Sequence, residues 1–137
     1  MKIAVIDSQG GGLGKRIVEK LSKVVDENTK IIALGTNSIA TMGMLKAGAH
    51  SCATGENAIK VMSQKVDIIT GAMAICVPNS MMGEISESIA YSIGTSTASK
   101  ILLPLNRCGI KVAGVEDKKA NELIDDLISL IIKETKK

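Results

Sequence analysis

The sequence predicts an α/β protein with helices on both faces of a mainly parallel sheet. Three observations carry this. Short apolar runs alternate with stretches of helical periodicity along the 137 residues. The runs are continuously apolar, as strands buried on both faces must be. A glycine cluster follows the first run directly, where a strand would turn into a helix. Right-handed crossovers leave few topologies. The expected arrangement is a Rossmann-like three-layer sandwich of five to six strands, order 3-2-1-4-5(-6). No repeat, linker or low-complexity segment interrupts it, so residues 1–137 read as one domain.

The elements follow in order. Residues 2–7, Lys-Ile-Ala-Val-Ile-Asp, form the first strand. After the glycines, apolar residues at 13, 17, 18 and 21 have helical spacing. Residues 30–34 are a second strand, closed by Gly35-Thr36-Asn37. Ser38 is placed to cap a short helix whose apolar residues are Ile39, Met42 and Leu45, with Gly48 as its left-handed stop. Residues 49–53 are a third strand. A helix starts at Thr54 or Gly55 and runs to about Gln64. The fourth strand covers 66–72, with room to extend to Val77. Ser86 caps a helix reaching Ser96. Residues 100–105 and 111–115 are two further strands. Asp117 caps a final helix with apolar residues at 120, 123, 124, 127, 128 and 131.

Composition narrows the function. Hydrophobic residues make up 45%, enough for a packed core, and Tyr91 is the sole aromatic. The core must be Ile, Val, Leu, Ala and Met. Of 17 cationic residues, 15 are scattered lysines; the arginines are Arg16 and Arg107. A nucleic-acid binder needs a clustered basic stripe, and a single-strand binder needs stacking rings; both are missing. Apolar runs fall short of the ~20 residues of a membrane span or the pattern of an export signal. Three cysteines at 52, 76 and 108, with no close pairing, fit a reducing cytoplasm. His50 and Cys52 are the one close His/Cys pair, too few ligands for zinc, so no metal is expected. The apolar content and the methionines at 81 and 82 suggest a homodimer.

The first loop carries the main functional signal. It reads Asp7-Ser8-Gln9-Gly10-Gly11-Gly12-Leu13-Gly14-Lys15. Glycines permit tight turns and close backbone approach. The first helical N–H groups lack intrahelical partners, and the helix dipole favours an anion there. The dinucleotide spacing G-x-G-x-x-G puts Gln9, Gly11 and Gly14 in register, without its first glycine. The short-chain dehydrogenase spacing puts Ser8, Gly12 and Gly14 in register, and residues 12–21 resemble that family. A Walker A spacing finds Gln9 and Arg16 where glycine and a hydroxyl belong. Strand two ends in Gly35-Thr36-Asn37, with no carboxylate for a ribose. The dehydrogenases' Tyr-x-x-x-Lys is also missing, since Thr95 stands four residues after Tyr91.

A broader resemblance rests on four segments: Val5-Ile6-Asp7-Ser8-Gln9-Gly10-Gly11-Gly12, Ala33-Leu34-Gly35-Thr36-Asn37, Ala53-Thr54-Gly55-Glu56-Asn57-Ala58 and Leu102-Leu103-Pro104-Leu105-Asn106-Arg107-Cys108. Together they resemble a family of small bacterial proteins catalogued as a domain of unknown function. The resemblance spans nearly the whole chain and implies a Rossmann-like fold and cytoplasmic residence. Ser8 departs from it, standing where glycine would make the first turn tighter.

The ligand site expected from sequence therefore comprises Asp7, Ser8, Gln9, Gly10, Gly11, Gly12, Leu13, Gly14 and Lys15. To these are added Gly35, Thr36, Asn37 and Ser38 after strand two, Asn79 and Ser80 after strand four, and Asn106 and Arg107 after strand five. Residues 78–84 read as a lid. Asp7 reads as the orienter of the glycine loop, and Arg107 as a fork for phosphate or carboxylate. The expected ligand is a nucleotide, dinucleotide or other phosphate-bearing small molecule. Two alternatives stand beside a binding or sensor protein. One is a small enzyme resembling methylglyoxal-synthase-like domains, in which Asp67 would lie at the wrong strand end to act as base. The other is a structural subunit with a vestigial loop. No catalytic residue is assigned.

Overall fold

Five parallel strands run in the order β3-β2-β1-β4-β5, in a computed structural model that describes residues 1–105 and 108–137. They are β1 (Lys2–Asp7), β2 (Lys30–Gly35), β3 (Ser51–Thr54), β4 (Ile68–Ala72) and β5 (Ser99–Leu103). The helices are α1 (Gly12–Leu21), α2 (Ser38–Lys46), α3 (Glu56–Ser63), α4 (Glu87–Thr95) and α5 (Ala120–Thr135). β1 pairs with β2 over its full length, Lys2 opposite Lys30 through Asp7 opposite Gly35. With β4 it pairs only from Ile3–Ile68 to Val5–Thr70. The two strands therefore part at their carboxyl ends, where strand order reverses.

The strand pleat divides the core in two. Ile3, Val5, Ile31, Ala33 and Ile68 face α1, α2 and α5, which bring Ile17, Val18, Leu21, Met44, Ile124, Leu127 and Ile131. Ala4, Ile6, Ile32, Leu34 and Ile69 face α3 and α4, which bring Ile59, Ile89, Ala90 and Ile93. Continuous burial of β1 residues 3–7 follows from helices on both sides.

Four expectations are corrected. The sixth strand does not form: residues 110–119 are exposed throughout, and Gly114 at φ +83° turns the chain. Val112 and Val115 have charged neighbours, and the turn at Gly114 separates them, so the free edge of β5 stays uncovered by them. β4 does not reach Val77, because Met73–Cys76 close into a 3₁₀ turn. Helix α2 is capped by Asn37, whose side chain accepts from the Ala40 N–H, and Ser38 is exposed. The buried face is accordingly Ala40, Thr41 and Met44, leaving Ile39 74% exposed. Helix α5 begins after Lys119, not Asp117, and has no side-chain cap.

Candidate functional site

The strand ends bring three loops together. In the first, Asp7 closes β1 and turns its carboxylate back into the glycine loop. Its Oδ1 accepts from the Ser8 N–H at 2.8 Å, and its Oδ2 from the Gly14 N–H at 2.6 Å. Burial pushes the Asp7 carboxyl above the ordinary aspartate value, against the pull of these two donors; the nearby Glu84 charge raises it further. Gln9 at φ +52° and Gly11 at φ +70° make the turn, so Gln9 adopts the left-handed conformation expected of a glycine. The Gly11 N–H donates to the Ser8 carbonyl at 3.0 Å. Ser8 is buried, and its hydroxyl donates to the Met81 sulfur.

The glycines divide into two pairs. A methyl at Gly11 would lie 2.6 Å from the Ala40 Cα, and one at Gly14 would lie 2.6 Å from the Met44 sulfur and 2.9 Å from Asp7. These two let α1, α2 and the end of β1 meet. Gly10 and Gly12 have nothing within 4 Å of that position. They face open space, and packing does not explain them. Among the described residues, the N–H groups of Gly10, Gly12 and Leu13 have no hydrogen-bond partner. Lys15 is exposed beside them. Arg16 turns away to Asn121 on α5.

The second loop follows β2. Gly35 allows close approach, since a methyl there would lie 2.7 Å from the Thr41 nitrogen. The Thr36 N–H donates to the Asp7 carbonyl at 3.1 Å. Asn37 caps α2 with its oxygen and donates its amide to the Gln9 carbonyl at 2.8 Å. Ser38 is exposed, and among the described residues it makes no hydrogen bond to the site.

The third loop, residues 77–85, reaches across from β4. Asn79 and Ser80 shape this loop rather than the crevice. Asn79, at φ +64°, donates its N–H to the Ile85 carbonyl, and the buried Ser80 hydroxyl donates to the Ala74 carbonyl at 2.6 Å. The residue that enters the crevice is Glu84. It binds the first two loops together through the Gln9 N–H, the Thr36 hydroxyl and the Asn37 amide. These donors, the Gln9 N–H foremost, hold its carboxyl below the ordinary glutamate value. Sequence placed a carboxylate in this loop but gave it no partner; the signal available was its place beside the switch point. Asn106 and Arg107 lie outside the described residues.

Other features lie apart. A surface cavity of about 620 Å³ opens beside α4, lined by Cys76, Pro78, Glu87, Ser88, Ala90 and Tyr91. It is mainly apolar and lacks the converging donors of the strand ends. Asp67 precedes β4 at the opposite, amino end of the strands, accepting from the Lys2 N–H at 2.8 Å. It is far from the glycine loop along the strand. His50 accepts from the Ile31 N–H through Nδ1. Among the described residues, no three His, Cys, Asp or Glu side chains form a group that can hold a metal ion. Nor is any helix among them long and apolar enough to cross a membrane.

A family model described as "Domain of unknown function (DUF3842)" matches residues 2–136. The chain belongs to that family. The four segments that suggested it all fall within the matched span. No curated protein matches the chain. Among solved structures, one described as "Crystal structure of universal stress protein in complex with cAMP" has a TM-score of 0.41 and 16% identity. It covers 72% of this chain and 94% of that one.

Proposed function

We propose that this DUF3842 chain binds a nucleotide or other phosphate-bearing small molecule at residues 10–15. The observation that carries the reading is the unpartnered set of N–H groups at Gly10, Gly12 and Leu13. Gly12 and Leu13 open the 10-residue helix α1 and Gly10 lies just before its cap, at the switch point of the sheet. Asp7 takes only the Ser8 and Gly14 donors, which holds the loop in shape and leaves the outer ones free. Gly10 and Gly12 then let an anion approach the backbone closely. On this reading the chain acts as one cytoplasmic unit over residues 1–137 and assembles as a homodimer. It acts as a binding or sensor protein. The Thr36 hydroxyl does meet a carboxylate, Glu84 at 2.7 Å, but the same oxygen also accepts from the Gln9 N–H and the Asn37 amide, which hold the carboxyl below the ordinary glutamate value and make it a poor base.

The test is a thermal shift with nucleotides, dinucleotides and sugar phosphates. A ligand at ~100-fold above its dissociation constant adds about 2.7 kcal/mol. For 137 residues that raises Tm by about 9 °C. Inorganic phosphate or sulfate should compete. Gly12→Val should keep the fold, having open space around it, and lose the shift. No shift in the wild type across the panel, or an unchanged shift in folded Gly12→Val, refutes the proposal.

A further inference from the structure

The phosphate reading leaves Glu84 unused. All three of its donors converge on one oxygen. Oε1 accepts from the Gln9 N–H at 2.8 Å, the Thr36 hydroxyl at 2.7 Å and the Asn37 amide at 3.0 Å. Among the described residues, Oε2 accepts nothing. The head group is thus fixed at one oxygen, while the other keeps its lone pairs for an incoming donor. An ionised acceptor of this kind binds hydroxyls with charge-assisted hydrogen bonds, roughly twice the strength of neutral ones.

Its position gives the donor a chemical class. In sheets of this topology, a ligand whose phosphate lies on the first loop extends its ribose toward the end of β2, where an acidic side chain accepts from the ribose hydroxyls. Here β2 ends in Gly35-Thr36-Asn37, which carries no acid. Instead Thr36 and Asn37 hold a carboxylate delivered by the loop after β4. The acid missing from β2 in the sequence is present at its end in space. A bare phosphate or polyphosphate would gain nothing from Glu84 and would be repelled by it.

We propose that Glu84 is the acceptor for the ribose hydroxyls of the ligand, which makes the ligand a ribonucleotide rather than a simple phosphate ester. This rests on the reading that residues 10–15 hold the phosphate. The Gln9 N–H and the Thr36 and Asn37 side chains position the carboxylate and need not touch the ligand.

The experiment titrates the full chain with ADP, GDP, CDP and UDP, their 2′,3′-dideoxy counterparts, and inorganic pyrophosphate, by calorimetry. At least one ribonucleotide should bind about ten- to hundredfold tighter than its dideoxy form, the range for a hydrogen bond to a charged group. Glu84→Gln should collapse that ratio and leave pyrophosphate binding equal or tighter, since a negative charge has gone. Glu84→Ala, which removes the head group, should do the same. Equal binding of ribo- and dideoxy forms to the wild type overturns the ribose assignment while the phosphate reading stands; so does binding of pyrophosphate alone. Tighter binding of ribonucleotides and pyrophosphate alike in Glu84→Gln would make Glu84 a plug, and also overturns it. If no probe binds, the phosphate reading falls and the ribose assignment with it.

Discussion

Two glycines in α1, two residues apart, should respond to alanine with opposite sign. At Gly12 the backbone is helical and the added methyl meets nothing within 4 Å. Alanine there reduces the freedom of the unfolded chain and should stabilise by about 0.4–1 kcal/mol. At Gly14 the same methyl would stand 2.6 Å from the Met44 sulfur and 2.9 Å from the Asp7 Cβ. Met44 is fully buried, so it has little room to retreat. Overpacking costs about 1–3 kcal/mol. Displacing Asp7 also weakens the bond it accepts from the Gly14 N–H, worth about 1.5–3 kcal/mol for a charged acceptor. Helix propensity returns about 1 kcal/mol. The net loss is about 1.5–5 kcal/mol. With unfolding entropy of about 2.1 cal/mol/K per residue, 1 kcal/mol corresponds to about 3.5 °C for 137 residues. Gly12→Ala should therefore raise Tm by roughly 1–4 °C, and Gly14→Ala should lower it by roughly 5–17 °C. Far-UV circular dichroism is the appropriate readout, because the sole aromatic, Tyr91, is 72% exposed and reports little on the core. Shifts of the same sign and size at both positions would refute the division of the loop into packing and open glycines.

Three further predictions concern charge and assembly. The Glu84 carboxyl is held low, so its stabilising contribution is complete above the unfolded glutamate value and is lost as pH falls through the folded one. The Tm gap between wild type and Glu84→Gln should be constant near neutrality and close on acidification. The Asp7 carboxyl is raised, so its ionisation costs stability as pH rises through its folded value, and Glu84→Gln should bring that value down in a carboxyl NMR titration. A gap that widens on acidification, or an Asp7 value that rises, would show that these charges do not interact as described. Light scattering at micromolar concentrations should find a homodimer that covers some of the large apolar side chains left exposed, such as Met82, Ile39 or Tyr91; a monomer throughout would rule this out.

Much of the sheet was legible because its strands are buried on both faces, and such strands read as unbroken apolar runs. The β1 and β2 runs and the glycines between them set the Rossmann-like order almost alone. The helices were legible where a single residue type marks a boundary, as at Ser86, whose hydroxyl accepts from the Ile89 N–H. They were less so where two capping residues stand side by side. Asn37 and Ser38 are both good caps, and the choice rotates α2 by one residue. Asn37 wins because its amide also reaches Gln9 and Glu84, contacts that local sequence does not encode. Residues 111–115 have strand-like composition, but Gly114 turns the chain within them, and whether a segment docks on the free edge of β5 depends on contacts across the fold rather than on its own composition. Glu84 was hidden for the same reason: its partners lie 47 to 75 residues away.

The central place of β1 has a consequence for how the protein is made. Its pairing with β2 joins neighbouring parts of the chain, whereas its other flank waits for β4: the bond from Lys2 to Asp67 spans 65 residues. A chain still on the ribosome can assemble β1, β2 and β3 while one side of β1 remains an open, apolar edge. That nascent half-sheet already has its glycine loop but has no Glu84 in the crevice. Only release of the later segments closes the edge and completes the three-loop junction together. A molecule that recognises the junction would therefore bind finished chains and ignore nascent ones, adding its stabilisation only after the most aggregation-prone stage has passed.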